Sequence, residues 1–270
     1  VSEAAWSLRV TGLVERPLTL SYQELLALGS TRQYLTLVCI SNEVGGPLMG
    51  NALWEGVPLA DLLGRAGVRS GAKKVVLTGE DDYSDSFPLE KALEPGTLLA
   101  HRMNGEPLTP PHGFPLRALV PGIYGMKNVK WLREIEVVDY DFQGFWQERG
   151  WSDQAVIKTT SRLDLPGGGD YRAGEVATIG GVAFAGGRGI SRVEVSTDDG
   201  RTWKPAQMRP ALSPYTWVLW LQQWSPAPGH YEILVRAADG LGQLQDAEER
   251  EPLPDGASGY HRIVVRVQPR

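Results

Sequence analysis

The stretch HGFPLRALVPGIYGMKNVKW, residues 112–131, decides how the first half of the chain is organised. The whole chain carries a formal net charge of -5, yet residues 107–133 contain no Asp or Glu. The apolar run 116–120 predicts a strand that carries Arg117 inward and then breaks into a glycine-bearing loop, residues 121–125. Basic side chains beside free backbone N–H groups are what a phosphate or another oxyanion needs. The alternative is a buried strand followed by a solvated basic loop.

The bulk composition limits the class of protein. At 270 residues, with 42% hydrophobic and 22% charged residues, the chain fits one large or two medium globular domains. The acidic balance argues against a nucleic-acid-binding protein, and no apolar run reaches the ~18 residues of a membrane-spanning helix. The single cysteine, Cys39, excludes an intramolecular disulfide. Because the sequence starts at Val1 without Met, we expect a segment to precede it in the whole protein.

Short helices alternate with strands in the first half of the chain, which predicts an α+β domain over residues 1–153. Ser21 and Glu24 form a capping box that opens a helix closed by Gly29. Asn104-Gly105 is a strong signal for a hairpin turn. The predicted helices cover residues 22–28 and 58–66, and the predicted strands cover residues 8–10, 34–40, 74–78 and 129–138.

The pattern changes in the second half, where we predict a β-sandwich domain over residues 154–270. No helix signal of useful length occurs there. Short β-branched segments are separated by Gly, Pro and Asp, with a tight turn at Asp199-Gly200, and this spacing is typical of a sandwich. The segment RLDLPGGG, residues 162–169, is predicted to be the connector. The predicted strands cover residues 175–184, 190–197, 216–221, 231–237 and 262–267.

Cys39 is the first candidate for chemistry. It lies near the end of a predicted buried strand, directly before the polar, glycine-rich segment 41–46, where a side chain can reach a cavity. The plain alternative is a small buried hydrophobe. Thiol catalysis would need a nearby histidine, and a Cys39–His112 dyad is a generic hypothesis. Zinc and serine-hydrolase sites are disfavoured because the sequence contains no CxxC, HExxH or GxSxG pattern.

Five motifs in order resemble the sulfite oxidase family of mononuclear molybdenum enzymes. The β-rich remainder, with GGRGISRVEVSTDDGRTW and DGASGYHR, is similar to that family's immunoglobulin-like dimerisation domain. The resemblance runs from about residue 8 to residue 267. It implies an α+β, sulfite-oxidase-like molybdopterin-binding domain followed by an immunoglobulin-like β-sandwich. The motifs are VCISN around Cys39, MNGEPL at 103–108, HGFPLR at 112–117, VPGIYG at 120–125 and VKWL at 129–132.

The resemblance implies a molybdenum–molybdopterin cofactor and gives individual residues a role. Cys39 becomes the metal ligand and a catalytic residue, which suits a soft thiolate and a thiophilic redox metal. Asp81, in an acidic loop (residues 81–85) that otherwise predicts solvated surface, best matches the family's acidic contact to the pterin. The other cofactor contacts that the resemblance implies are Asn42, His112, Arg117, Asn128 and Lys130.

Three features depart from the family pattern. The family's asparagine is kept as Asn42, but Glu43 and Val44 stand where sulfite-oxidising members carry arginines, and a carboxylate there would repel sulfite. The family's active-site tyrosine aligns with Phe142, which leaves Tyr140, two residues earlier, as the candidate catalytic tyrosine. The family segment that cradles the pterin from upstream of residue 8 is missing from this sequence.

The resemblance predicts an oxidoreductase that transfers an oxygen atom, with two electrons, to or from a small oxyanion or oxide substrate. The alternatives are an S-oxide or N-oxide reductase on the same scaffold, and a metal-free binding or assembly module with a degenerate pocket. We expect a homodimer formed through the sandwich, no nucleic-acid partner, and a separate electron-transfer protein because no haem or iron–sulfur pattern occurs. Analogy with bacterial relatives suggests a membrane tether before Val1 and a periplasmic or extracytoplasmic location, with the cytoplasm as the alternative.

Overall fold

The computed structural model describes residues 3–167 and 170–270 and divides into two compact units. Unit 1 comprises Val1–Cys39 and Ala52–Val156, and unit 2 comprises Ile40–Asn51 and Ile157–Arg270. The division near residue 156 lies close to the predicted domain limit at 153/154. Segment 40–51, in contrast, lies within the predicted first domain but groups with unit 2. Within the described ranges, no helix has the length and apolar character needed to span a membrane.

The described part of unit 1 contains two sheets and several short helices. The strands are β1 Ser7–Gly12, β2 Leu18–Ser21, β3 Thr31–Val38, β4 Met49–Pro58, β5 Lys74–Gly79, β6 Ser84–Pro88, β7 Leu98–Met103, β8 Glu106–Pro107, β9 Arg117–Leu119 and β10 Leu132–Val138. The α-helices are α1 Tyr22–Leu26, α2 Leu59–Ala66 and α3 Leu89–Ala92. The 3₁₀ helices are Pro110–His112, Gly125–Lys127 and Gln147–Arg149.

The first sheet of unit 1 has the strand order β2-β1-β10-β5-β6, with β1 and β10 parallel. The second has the order β3-β4-β7-β8, and β9 pairs with β7. Apolar side chains from both sheets and from α2 form one core, in which Leu63, Leu77, Leu99 and Ile135 are fully buried. The predicted inward strand is confirmed: β9 starts at Arg117, which lies opposite Ala100 of β7.

Local signals set several boundaries of unit 1 as predicted. Both hydrogen bonds of the Ser21–Glu24 capping box are present at the start of α1. Asn104 and Gly105 join β7 to β8 in a tight turn. Their φ values, 53° and 87°, are the positive values that an Asn-Gly hairpin turn requires. The predicted helix 58–66 corresponds to α2, with Pro58 at its N-cap. The strand predicted from residue 129 starts later, at Leu132.

Unit 2 contains two further sheets, with strand orders β11-β13-β17-β16 and β12-β19-β18-β14-β15. Ile179, Val193, Ile233 and Val235 are buried in its apolar core. All five strands predicted in this half are present, with small changes at their ends. The strands are β11 Thr160–Leu165, β12 Asp170–Arg172, β13 Ala177–Phe184, β14 Ile190–Ser196, β15 Lys204–Pro205, β16 Gln207–Met208, β17 Val218–Trp224, β18 Gly229–Asp239 and β19 His261–Gln268.

The predicted connector, residues 162–169, is wrong in its first half. Arg162–Leu165 belongs to β11, which pairs antiparallel with β13 and therefore lies inside the sandwich. Side chains at positions 160–163 alternate between half-buried and buried, as expected for a strand. The Pro-Gly run that follows obscured this strand in the sequence. Residues 168–169 of the predicted connector lie outside the described residues.

Candidate functional site

Arg117 is a buried cation that lacks a charged partner. Its side chain is only 6% exposed. Its terminal N–H groups donate to the backbone oxygens of His112 at 3.1 Å and Asn128 at 3.4 Å, and its guanidinium carbon lies 5.2 Å from the centre of the Trp54 ring. Across residues 3–167 and 170–270 no carboxylate lies within ion-pair distance of Arg117, and no acceptor lies within hydrogen-bond distance of its Nε.

The consequence of this burial is electrostatic. Desolvation lowers the pKa of Arg117 to about 10, which still leaves the guanidinium charged at neutral pH. A buried charge without a counter-charge is costly for a fold to keep, and an anion that accepts from Nε would remove much of that cost. Arg117 therefore has the properties of an anion-binding group.

Gly113 and Lys130 complete the surroundings of this cation. Gly113 has φ +103°, and a Cβ at this position would lie 3.0 Å from the Cβ atoms of both Arg117 and Lys130. The close approach of the two side chains therefore requires glycine. Lys130 Nζ donates to the carbonyl oxygen of Pro111 at 3.1 Å and lies 4.2 Å from the centre of the Trp131 ring. The two basic side chains thus both lie close to one glycine turn.

Asp81 and His112 lie next to these basic residues. A Cβ at Gly79 would lie 2.7 Å from both Asp81 Oδ1 and the backbone oxygen of Lys130, so both atoms lie close to the Gly79 backbone. Burial and then the charge of Arg117 lower the pKa of Lys130, while Asp81 acts in the opposite direction. His112 is exposed, and its Nδ1 shares a 2.7 Å hydrogen bond with Thr109 Oγ1. The structure brings four of the predicted residues together: Asp81, His112, Arg117 and Lys130.

Asn128 is buried beneath this group. Its Oδ1 accepts from the Val120 N–H at 2.7 Å, and its Nδ2 donates to the Tyr124 oxygen at 3.2 Å. These two bonds fold residues 120–128 into a fixed loop, and the backbone oxygen of Asn128 then faces Arg117. Asn128 therefore holds a hydrogen-bond acceptor for Arg117 in place. The predicted contact of Asn128 with a cofactor remains a prediction.

Cys39 lies directly after β3 and is exposed, whereas we predicted it near the end of a buried strand. Its neighbours Val38 and Ile40 are both buried, so the alternation of side chains leaves Cys39 on the exposed side. Two contacts place β3 beside the basic group. The Trp54 indole N–H donates to the Leu35 oxygen at 3.3 Å, and a Cβ at Gly125 would lie 3.2 Å from the Val38 oxygen. The Cys39 side chain therefore lies outside the core.

Tyr140 lies at the end of β10 opposite to Asp81 and Lys130. It is 51% exposed and follows the far end of β10, where Val138 pairs with Lys74 of β5. Asp81 and Lys130 flank the opposite end, where Leu132 pairs with Gly79. Six strand residues separate these ends, a length of about 20 Å. The carbonyl oxygen of Phe142, the residue that aligns with the family tyrosine, accepts from Lys74 Nζ at 3.2 Å.

Asn42 and Glu43 lie in unit 2. Asn42 Oδ1 accepts from the Leu48 N–H at 2.8 Å and so closes the loop that follows Cys39. Glu43 is exposed and lines a cleft of about 690 Å³ within unit 2, together with Val44, His261 and Arg262. The cleft also contains a second arginine, Arg250, and two further glutamates, Glu249 and Glu251.

A buried ion network in unit 1 was missed from the sequence. Lys127, fully buried, donates to Asp85 Oδ1 at 2.8 Å, to the Ser86 oxygen at 2.8 Å and to Asp153 Oδ1 at 2.9 Å. Asp85 is also fully buried, although the acidic loop 81–85 was predicted to be solvated. Burial raises the pKa of Asp85, while the Lys127 ammonium acts against that rise. One feature of the sequence could have indicated this network. Lys127 lies next to apolar residues in a stretch without acidic residues, and a buried lysine needs a carboxylate from elsewhere in the chain.

Two family models match the chain. The model described as oxidoreductase molybdopterin binding domain matches residues 1–146. The model described as Mo-co oxidoreductase dimerisation domain matches residues 156–268. Both matches agree with the family that the sequence motifs predicted.

Individual relatives point the same way. Sulfite oxidase from Arabidopsis thaliana is 31% identical, over 97% of this chain and 83% of that protein. Mitochondrial sulfite oxidase from Drosophila melanogaster is 32% identical, over 83% of this chain but 46% of that protein. Nitrate reductase [NADH] 1 from Arabidopsis thaliana is 29% identical, over 80% of this chain and 30% of that protein. The chain thus spans less than half of the length of the last two relatives.

The fold is shared with a solved structure, the sulfane dehydrogenase SoxCD from Paracoccus pantotrophus. The TM-score is 0.87 at 24% sequence identity, over 98% of this chain and 77% of that chain. This likeness confirms the predicted fold class, a sulfite-oxidase-like domain followed by a β-sandwich. Together with the family models, it leads to one conclusion: the chain belongs to the molybdopterin oxidoreductase family that includes the sulfite oxidases and the nitrate reductases.

Proposed function

We propose that this protein catalyses two-electron oxygen-atom transfer at a molybdenum–molybdopterin cofactor held by unit 1. The observation that carries the proposal is Arg117, a buried guanidinium whose Nε has no acceptor among the described residues. A fold keeps such a charge at a cost, and a bound phosphate would offset it. The matched family model, a molybdopterin-binding domain, supplies a cofactor class that carries a phosphate.

The residues present fit this cofactor. Arg117 and Lys130 would hold its phosphate, and the glycine at position 113 allows these two side chains to lie close together. Asp81, an exposed carboxylate next to the Lys130 backbone, would accept hydrogen bonds from the amino groups of the pterin. The exposed Cys39 would offer a thiolate, the soft ligand that a redox metal of this kind prefers. When bound, the cofactor supplies the two-electron redox chemistry at its metal.

Molybdenum content and the Cys39→Ser substitution test this proposal. We expect stoichiometric molybdenum in the protein produced with cofactor supply, and loss of activity in Cys39→Ser. Because Cys39 is exposed, the substitution should change the free energy of unfolding by less than about 0.5 kcal/mol. Elemental analysis and urea unfolding measure both effects. Wild-type protein that stays metal-free and refuses the cofactor would instead support a binding or assembly module.

The charges around Glu43 favour a neutral oxide as the substrate over an oxyanion such as sulfite. Both arginines of the unit 2 cleft already face carboxylates: Arg262 with Glu232 and Glu249, each at 3.5 Å, and Arg250 with Asp246 and Glu248. Glu43, four residues after Cys39, forms no ion pair in the described part of the chain. An uncompensated carboxylate four residues after the proposed metal ligand disfavours a dianion.

Parallel assays distinguish the two substrate classes. We expect sulfoxide or N-oxide reduction to exceed sulfite oxidation in the loaded enzyme. Removal of the carboxylate in Glu43→Gln should raise kcat/KM for sulfite about three- to tenfold and leave that for a neutral oxide unchanged. Equal effects on both substrates would contradict a charge-based selection.

The proposal extends to the partners and the location. The match to a Mo-co oxidoreductase dimerisation domain supports a homodimer formed through unit 2, which analytical ultracentrifugation of the full chain would test. A separate electron-transfer protein, a membrane tether and an extracytoplasmic location are proposed by analogy with relatives. Cell fractionation of the natural protein tests the location, and a cytoplasmic signal alone would reject it.

A further inference from the structure

The segment that leaves Cys39, residues 40–51, is a compact turn built on glycines. The Gly46 N–H donates to the Glu43 oxygen at 2.9 Å, and the Leu48 N–H donates to Asn42 Oδ1 at 2.8 Å. Gly45 adopts φ +75°, a conformation that other residues rarely take. These two hydrogen bonds close the turn. Exchange of the Gly46 and Leu48 amide hydrogens therefore measures whether the turn is intact.

Two side chains of the β-sandwich hold this turn from outside. A Cβ at Gly45 would lie 2.2 Å from Cδ2 and 2.3 Å from Nε2 of His261, so the imidazole edge packs directly on the Gly45 backbone. Arg162 donates from one terminal nitrogen to the Gly46 oxygen at 3.1 Å. The contacts fall on neighbouring glycines, at the tip of the turn that carries Asn42 and Glu43.

Both side chains are themselves fixed. His261 Nδ1 accepts from the Leu163 N–H at 2.9 Å, so the neutral ring carries its proton on Nε2. Arg162 Nε donates to Asp164 Oδ1 at 2.6 Å. Burial lowers the pKa of His261, with Arg162 acting in the same direction and Asp164 against it. Since Leu163 lies on β11 and His261 begins β19, the arrangement joins the two sheets of unit 2 at one point.

We propose that His261 and Arg162 are positioning residues for the segment that follows Cys39. On this view the β-sandwich does more than form a dimer: it fixes the conformation of Asn42 and Glu43, which come directly after the proposed metal ligand. The proposal rests on the proposed function for the role of Cys39. Its structural content, a turn held by the sandwich, is independent of the cofactor.

Hydrogen–deuterium exchange of the full chain without cofactor tests the contact. We expect His261→Asn and Arg162→Ala each to speed exchange of the Gly46 and Leu48 amides about tenfold, the effect of losing one contact. Asn keeps an acceptor for the Leu163 N–H but loses the imidazole edge, so the sandwich should stay folded. The matched controls are His230→Asn and Arg266→Ala, two exposed residues that pair across β18 and β19. Unchanged exchange in both test variants would overturn the proposal.

A double substitution shows whether the contact with Gly45 is direct. The methyl group of Gly45→Ala meets the imidazole in the wild type, and this contact is absent in His261→Ala. We expect Gly45→Ala to speed exchange of the turn several-fold less in the His261→Ala background than alone. Additive effects would overturn a direct contact.

Assays of the enzyme with bound cofactor distinguish the positioning role of His261 from the proposed function. We expect His261→Asn to lower kcat about tenfold while the molybdenum content stays at the wild-type level, and unchanged kcat would overturn a positioning role. A wild-type protein without molybdenum would reject the proposed function and leave the exchange results as they stand. The two failures are therefore distinguishable.

Discussion

Two cations of the 112–131 stretch, Lys127 and Arg117, are both buried, but their surroundings are opposite. Lys127 is fully buried and has two carboxylates and a carbonyl oxygen as partners. Arg117 has two backbone oxygens and an aromatic ring, and its Nε has no acceptor in the described ranges. Lys127 is a completed structural element, whereas Arg117 has no charged partner among the described residues. Burial of a cation alone therefore does not indicate a candidate site, whereas the lack of a charged partner does.

The largest effect is expected from Lys127→Met. The substitution leaves Asp85 with its carboxylate fully buried and without a counter-charge, which typically costs about 3–5 kcal/mol of unfolding free energy. Urea unfolding measures the loss. The matched control is Lys91→Met, which breaks the half-exposed Lys91–Glu94 pair and should cost less than about 0.5 kcal/mol. Equal losses would remove the distinction between a completed buried pair and a surface pair.

Arg117→Met should show the reverse behaviour. Without cofactor, removal of an uncompensated buried charge should leave the unfolding free energy unchanged or raise it, because no carboxylate loses its partner. Binding of the cofactor or of inorganic phosphate should weaken about 10- to 100-fold, the value of a charge-assisted hydrogen bond to a buried arginine.

Thermal shift against phosphate and molybdenum content measure the two sides of this prediction. Arg9→Met is the control, since Arg9 is half-exposed and paired with Glu134. A large loss of stability in cofactor-free Arg117→Met would place Arg117 in the same class as Lys127 and would contradict the comparison.

The contrast also marks what the sequence could predict. The inward strand with Arg117 followed from the apolar run 116–120, because a short continuous apolar run is typical of a buried strand. The capping box of α1 and the Asn104-Gly105 turn were predictable for the same reason: their hydrogen bonds and φ values involve neighbours in the chain. The family resemblance then supplied the class of cofactor.

Contacts between distant residues were not predictable in this way. Lys127 and Asp85 are 42 positions apart, and only the packing of the Gly125–Lys127 3₁₀ helix against β6 brings them together. Segment 40–51 groups with unit 2 because His261 and Arg162, more than 100 residues later, lie against Gly45 and Gly46. No local pattern in the segment itself encodes those partners.

A smaller effect is expected from Asp153→Asn, which removes the second carboxylate of the Lys127 network. Burial alone would raise the pKa of Asp153, but hydrogen bonds from Lys74 and Lys127 hold it below its ordinary value. A carboxyl group with a lowered pKa stabilises the fold above its unfolded pKa, about 4, and this stabilisation is lost as the pH falls through the lowered value. At pH 7 we expect Asp153→Asn to cost about 1 kcal/mol, less than Lys127→Met because Asp153 is partly exposed.

The measurement for Asp153→Asn is urea unfolding of both proteins between about pH 3 and pH 7. The difference between wild type and variant should be constant near neutral pH and shrink below about pH 4, where the carboxyl group becomes protonated first in the unfolded wild-type chain. A difference that persists unchanged into acid would mean that Asp153 acts through packing and not through its charge.

The smallest effect is expected from Lys130→Gln. This substitution compares a partly exposed cation with the buried Arg117 in the proposed anion site. Lys130 is partly exposed, and solvent screens its charge, whereas Arg117 is buried. Its loss should weaken phosphate binding only about two- to fivefold at low salt, and the difference should nearly vanish at about 0.5 M salt. The effect of Arg117→Met should survive the added salt, because a desolvated guanidinium is screened much less. Titration of phosphate at both salt concentrations measures the salt dependence of binding. An equal salt dependence of the two variants would show that Arg117 does not meet the anion in a desolvated site.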